Sequence, residues 1–209
     1  MFGHKFINFK QLPKSMKLIL VRHGETYLNS LKVHQGHWDA ILSDKGRQQA
    51  IKVAERLRNE KIDVAYSSDL IRAVNTAEEI LKFHKKAPHA KTMALREMDV
   101  GIFEGIYSNL IKEYVGNETY WDYQISRALS EVNEKVVGFL DEIMFKHKDE
   151  TVLIVSHGGP IGCLLTYFSG NSIDKIREYL PHVNTAVSVV RHNNKGFSIE
   201  VINCANHLE

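Results

Sequence analysis

Apolar residues run along this chain in two rhythms. Short, largely β-branched runs stand at Lys17–Val21, Val64–Ser67 and Thr151–Val155. Runs of this length with polar or glycine flanks predict buried strands. Lys91–Leu95 predicts a further, shorter strand. Between these runs the spacing changes to threes and fours. Ala50, Val53, Ala54 and Leu57 share one helical face, and Ser43 or Asp44 can cap its start, so a helix is predicted from there to about Asn59. Leu70, Ala73, Val74, Ala77, Ile80 and Leu81 predict a helix from Asp69 to Phe83. Asn109–Tyr114 predicts a helical turn or two. Leu129, Val132, Val136, Leu140 and Ile143 predict the longest helix, from Ile125 to Lys146. Pro160 suits the first turn of a helix after the Thr151–Val155 strand. Thr185–Arg191 and Phe197–Asn203 flank a His-Asn-Asn-Lys-Gly turn and predict a terminal hairpin. Alternating strands and helices imply an α/β domain with a mostly parallel sheet and one antiparallel edge. The pattern leaves the strand order open.

Composition narrows the classes. A length of 209 residues fits one domain. Residues 1–15 read as an extension without acidic residues, ahead of a single domain over 16–209. The 44% hydrophobic and 25% charged fractions exclude a disordered chain. A net charge of +2 argues against a nucleic-acid partner. No apolar run nears the ~18 residues that span a bilayer, so no membrane association is expected. Two cysteines, Cys163 and Cys204, cannot build a disulfide framework, and the expected compartment is the reducing cytoplasm. A monomer or homodimer is expected. Eleven histidines are the one unusual count. Metal binding, catalysis and chance each remain open for them at this point.

Open α/β sheets bind ligands beyond the carboxyl ends of their strands. There the chain carries Arg22-His23-Gly24-Glu25-Thr26, Ser67-Ser68-Asp69-Leu70-Ile71-Arg72, Arg96-Glu97-Met98-Asp99 and Ser156-His157-Gly158-Gly159-Pro160. Two arginines offer forked donors that fit a phosphate dianion. A neutral histidine between them is a nucleophile toward phosphorus, and a second histidine can donate to phosphoryl oxygens. A nearby carboxylic acid can protonate a leaving oxygen and then serve as base for water. Gly24 removes a Cβ where the backbone turns close to the ligand, and Gly158 and Gly159 offer backbone donors at a helix start. Arg72 sits among Leu70, Ile71, Ala73 and Val74, where an unpaired charge would be costly, which favours a ligand role. Glu25 is expected to orient its loop. His34 and His37 lack a third ligand in a matching motif and read as loop histidines. Ser156-His157 has no G-x-S-x-G elbow around it.

These residues resemble the histidine phosphatase superfamily, also called phosphoglycerate mutase-like. The resemblance rests on RHGET at 22–26 with Asn29, QGHWDAILSDKGRQQA at 35–50, SSDLIRAVNTAE at 67–78, LREMDVGIFEG at 95–105 and VSHGGPI at 155–161, in that order. It implies a three-layer α/β/α sandwich on a mostly parallel sheet of about six strands. It implies His23 as the nucleophile that becomes phosphohistidine, Arg22, Arg72 and His157 as the phosphate-binding core, and Glu97 as the acid–base residue. Asp99 and Glu104 are its rivals for that role. Asn29, Gln35, Gly36 and Gly158 would make secondary contacts to phosphate or substrate. The resemblance implies no metal and no cofactor, and a small phosphorylated substrate.

Within the family the expectation is a phosphomonoester hydrolase. Sixty positions separate Glu97 from His157, with Arg127 as the one arginine and no proline, whereas the mutases carry a longer segment rich in both. Gln35-Gly36 also resembles the phosphatase branch. The substrate types this implies are broad-specificity, α-ribazole-phosphate or sugar-phosphate. A cofactor-dependent phosphoglycerate mutase is the first alternative. A non-catalytic phospho-ligand-binding or signalling member of the fold is the second. Tyr107, Tyr114, Tyr120, Trp121 and Tyr123 either line the pocket mouth or pack the segment they belong to.

Overall fold

Successive side chains of strand β1 (Ser15–Arg22) turn to opposite sides of the sheet and so decide its layering. Met16, Leu18 and Leu20 join one core together with Val152 and Ile154 of β4 (Thr151–Ser156). Ile19 and Val21 join the other with Leu153 and Val155. Both strands are interior and apolar on both faces, as parallel strands covered on two sides require. Each such Leu, Ile or Val side chain taken from water contributes about 1.5–3 kcal/mol. The computed structural model describes residues 15–115, 118–193 and 195–209, apart from the side chains at 112 and 114–124.

After the single-turn helix α1 (Tyr27–Ser30), one face carries α2 (Asp44–Leu57) and α3 (Ile71–Leu81), which bury Val53, Ala54, Leu57, Ala73, Ala77 and Ile80. The opposite face carries α5 (Glu118–Lys146) and α6 (Gly158–Phe168), which bury Val136, Leu140, Ile143, Ile161 and Leu164 among others. The result is a three-layer α/β/α sandwich. With β2 (Val64–Ser68), β3 (His89–Thr92), β5 (Val187–Asn193) and β6 (Gly196–Cys204), the sheet has six strands in the order β3-β2-β4-β1-β5-β6. The first four pair in parallel, and β5 and β6 add an antiparallel hairpin beside β1.

Most element boundaries follow the apolar spacing. Ser43 caps α2, its Oγ accepting the Gly46 N–H at 3.0 Å. The third strand is displaced from its expected place. It runs over His89–Thr92, while Met93–Leu95 forms a 3₁₀ turn. The Thr92 hydroxyl caps that turn, and Leu95 drops into the core behind it, so one apolar run is divided between an edge strand and a turn. The short helix α4 (Ser108–Val115) occupies the segment where a turn or two is predicted, and α5 begins before Ile125. Asn194 and residues 1–14, the bulk of the N-terminal extension, lie outside the described residues.

The connections explain where a ligand fits. The chain leaves β1 toward the α2–α3 layer and leaves its neighbour β4 into α6 in the opposite layer. The two loops part at the carboxyl ends of adjacent strands, which opens a crevice there.

Candidate active site

That crevice is a cavity of about 720 Å³ lined by Arg22, His23, Asn29, Gln35, Gly36, Arg72 and Glu97, with Lys32, His34, Ser108 and His182 toward its rim. His23 follows the last residue of β1, and its backbone N–H donates to the Ser156 carbonyl at the end of β4. His157 caps α6. The two imidazoles lie face to tilted face, ring centres 5.0 Å apart, and both are almost wholly buried.

Hydrogen bonding settles how each ring is used. His23 Nδ1 stands 2.7 Å from the Gly24 carbonyl, which can only accept, so Nδ1 carries the proton and Nε2 keeps a lone pair. His157 Nδ1 stands 3.2 Å from Arg72 Nε, which can only donate, so in the neutral ring the proton is on Nε2. That Nε2 is buried and has no partner among the described residues. Burial first, then Arg72 and Arg22, hold the His23 pKa well below the ordinary histidine value. Burial first, then Arg72, His23 and Arg22, do the same for His157. Both rings are therefore neutral at pH 7.

The arginines are held from behind. Arg72 is 1% exposed, and spends Nε on His157, Nη1 on the Trp38 carbonyl at 2.9 Å and Nη2 on the Gly36 carbonyl at 2.8 Å. Five guanidinium N–H groups minus these three leave two for a ligand. Arg22 Nη1 is pinned by the carbonyls of Pro181 and His182 at 2.8 and 2.9 Å. Its Nε is buried without a partner among the described residues. Burial lowers both arginines from their ordinary values, and Glu97 opposes that shift. Arginine stays protonated regardless.

Glu97 enters from the turn after Leu95. Its Oε1 accepts the N–H groups of Met98 at 2.9 Å and Gly159 at 3.1 Å, while Oε2 has only Gly159 at 3.4 Å. Oε2 is thus the less occupied of the two oxygens. The loop is tied on three sides. Ser156 Oγ donates to the Leu95 carbonyl at 2.7 Å, Arg96 grips Asp69 through two bonds, and His37 Nε2 donates to the Glu97 carbonyl at 2.9 Å. The rivals are occupied elsewhere. Asp99 is exposed and accepts from Gly101 N, and Glu104 accepts the His37 N–H at 2.6 Å.

The glycines differ from expectation. Gly24 is needed for protein packing, since a Cβ there would meet the Gly46 carbonyl oxygen at 2.6 Å. Gly159 gives its N–H to Glu97 and not to the cavity, and a Cβ on it would stand 2.5 Å from Oε1. Gly158 is not among the residues lining the cavity, and its open side faces Glu97 Oε2. Gly36 lines the cavity at φ +48°, where a Cβ would collide with the Glu104 carboxylate, and its carbonyl serves Arg72. Asn29 and Gln35 both line the cavity. Their amide oxygens are taken by Thr26 N at 3.1 Å and Thr26 Oγ1 at 2.9 Å, which leaves the amide N–H groups as the donors they can offer. Glu25 orients its loop through Ser43 and Lys45.

Several contributors gave no signal in the sequence. Thr76 Oγ1 accepts the Gly24 N–H and donates to the Arg72 carbonyl. The 181–186 segment seats Arg22 and His23 mainly through backbone groups, which no side-chain pattern reveals. Tyr107 is half-exposed and is not among the residues lining the cavity, and the side chains of Tyr114, Tyr120, Trp121 and Tyr123 lie outside the described residues. No group of three His, Cys, Asp or Glu side chains placed to hold a metal occurs among the described residues. No helix among them is long and apolar enough to cross a membrane.

Known proteins match this chain over nearly its whole length. A family described as the histidine phosphatase superfamily (branch 1) matches residues 18–205. Phosphoglycerate mutase-like protein 4 of Arabidopsis thaliana is 35% identical, covering 92% of this chain and 87% of that protein. Phosphoserine phosphatase 1 of Hydrogenobacter thermophilus is 31% identical over 92% of this chain and 94% of its own. Among solved structures, YhfR of Bacillus stearothermophilus superposes with a TM-score of 0.84 at 27% identity, covering 93% of this chain and all of that one.

Proposed function

The chain belongs to the histidine phosphatase superfamily and is a phosphatase of small phosphorylated metabolites, and we propose that it works through a covalent phosphohistidine on His23. In this reading His23 Nε2 attacks the phosphorus of a monoester and the P–O bond to the leaving group breaks. Glu97, protonated on Oε2, gives its proton to the departing oxygen. Water then attacks the phosphohistidine while the Glu97 carboxylate takes a proton from it. The P–N bond breaks, inorganic phosphate leaves, and His23 and protonated Glu97 are restored. His23 Nδ1 keeps its proton and its bond to the Gly24 carbonyl throughout.

One observation carries this reading. Two buried donors, Arg22 Nε and His157 Nε2, have no partner among the described residues in a site built around a neutral imidazole. An unpaired buried donor costs about 1–3 kcal/mol, and a phosphoryl group accepts from both. They supply charge stabilisation where it develops in the transition state, together with the two spare Arg72 N–H groups. Asn29 and Gln35 add amide donors at the edge.

The cavity volume lies within the usual range for small-molecule sites, about 300–1,000 Å³. Its lining joins polar Lys32, His34 and Ser108 to apolar Val33, Met98, Val100 and Ile125. This mixture supports a leaving group with both polar and apolar parts, and hence broad specificity. Hydrolysis is favoured over phosphoryl retention by the short segment from Glu97 to His157, most of which is taken up by α4, α5 and β4. The test is phosphate release from a panel of phosphoserine, sugar phosphates, α-ribazole phosphate and phosphoglycerates, with phosphoglycerate interconversion followed alongside. Release from several members is expected. Efficient interconversion without release would replace this reading with a mutase.

A further inference from the structure

Asn184 and Thr185 lie directly behind the His23 backbone. Thr185 is fully buried at φ +59°, a left-handed conformation that a β-branched residue holds only where its surroundings enforce it. In that conformation its N–H reaches the carbonyls of Arg22 at 3.1 Å and His23 at 3.3 Å. Asn184 Nδ2 donates to the same His23 carbonyl at 3.1 Å. Two adjacent residues thus fix the peptide groups that carry the phosphate-binding arginine and the nucleophile.

The support for Thr185 comes from the other end of the chain. Its hydroxyl donates to the Asn184 carbonyl at 2.7 Å and stands 3.1 Å from His207 Nε2. His207 Nδ1 stands 3.0 Å from Arg56 Nη1, which also donates to the Cys204 carbonyl. A guanidinium only donates, so His207 Nδ1 accepts and the ring proton sits on Nε2. The Thr185 hydroxyl has spent its hydrogen on Asn184 and accepts that proton's bond. Both contacts require the same neutral tautomer. Burial, then Arg56 and Lys52, hold the ring in that form, with a pKa of about 4.

We propose that His207 is a positioning residue for the nucleophile: anchored on Arg56 of α2, it locks Thr185 and Asn184, and through them the His23 backbone. The proposal rests on the assignment of His23 as nucleophile. Its lever is alignment, where displacement of about 1 Å can cost on the order of a hundredfold in rate.

The test uses the full chain and rapid-quench measurement of phosphoenzyme formation, with kcat and KM for a small phosphomonoester. His207→Phe keeps a ring without donors, and His207→Gln places an amide N–H near the position of Nε2. A drop of about tenfold or more in kcat is expected for His207→Phe, with KM little changed. His207→Gln should recover most of it. Thr185→Val should match His207→Phe, and the double variant should be no worse than the poorer single one. If His207→Phe does not fold, Thr185→Ser against Thr185→Val decides, with Ser near the parent rate. Phe and parent rates that coincide, Gln no better than Phe, Ser as poor as Val, or multiplying effects in the double variant would each overturn the proposal. Absence of label on His23 in the parent protein would instead overturn the nucleophile assignment beneath it.

Discussion

Replacing Arg72 by lysine keeps the charge and removes the geometry. The parent guanidinium joins three acceptors on two segments: His157 Nδ1, and the Gly36 and Trp38 carbonyls of one loop. A single ammonium cannot reach all three, so at least one acceptor loses its partner. The expected stability loss is about 1–3 kcal/mol for each acceptor left unpaired. The chemical loss is separate. His157 is released from the tautomer that puts its proton on Nε2, and the two remaining Arg72 N–H groups are no longer presented. Loss of one preorganised donor typically costs about 10²–10³ in rate. We therefore expect Arg72→Lys to lower kcat/KM by at least two orders of magnitude (about 2.7 kcal/mol of transition-state binding). Phosphate release under pseudo-first-order conditions gives the rate, and urea unfolding gives the stability. A variant within about threefold of the parent rate would overturn this expectation, because charge alone would then suffice. So would a stability unchanged from the parent, since the buried acceptors would have found partners the structure does not provide.

Two further outcomes follow from the same geometry. Glu97→Gln cannot give up a proton, so hydrolysis should slow most for esters with poor leaving groups and least for nitrophenyl esters; a uniform loss across a leaving-group series would contradict the acid role of Glu97. His23 and His157 are buried in the neutral form with depressed pKa values, whereas in the unfolded chain each titrates near ~6.5. Their contribution to stability is thus complete above that pH and is lost as pH falls toward their folded-state values, by up to about 1.4 kcal/mol per pH unit for each ring. His34, His89 and His207 shift in the same direction and add to the slope. Urea unfolding across mildly acidic pH reads this directly, and a stability independent of pH between about 7 and 5 would show that the rings are not held neutral.

Much of this was legible in the chain. The apolar spacing located the strands and long helices because each buries one face or two against a neighbour, a local signature. His23, Arg72, Glu97 and His157 were legible because all four follow a strand and a sheet of this kind gathers strand ends. The strand order was not legible, since pairing β4 between β1 and β2 depends on contacts far apart in sequence. Lys91–Leu95 misled because an apolar triplet that drops into a core looks alike in a strand and in a 3₁₀ turn. The glycines misled for a related reason. A missing Cβ announces close approach but not the approaching group, and Gly24 meets Gly46 while Gly159 meets Glu97. The seat for Arg22 and His23 over residues 181–186 is built mainly from carbonyl and amide groups, which every residue carries.

The proposed mechanism turns on one covalent bond between phosphorus and a ring nitrogen of His23. Acid-labile, base-stable label should be trapped during turnover of a phosphorus-labelled ester and mapped by peptide sequencing under alkaline conditions. The label is expected on the peptide containing His23, attached through Nε2, and absent from His23→Ala. Label on His157, or complete turnover with no labelled protein at any quench time, would contradict His23 as the nucleophile.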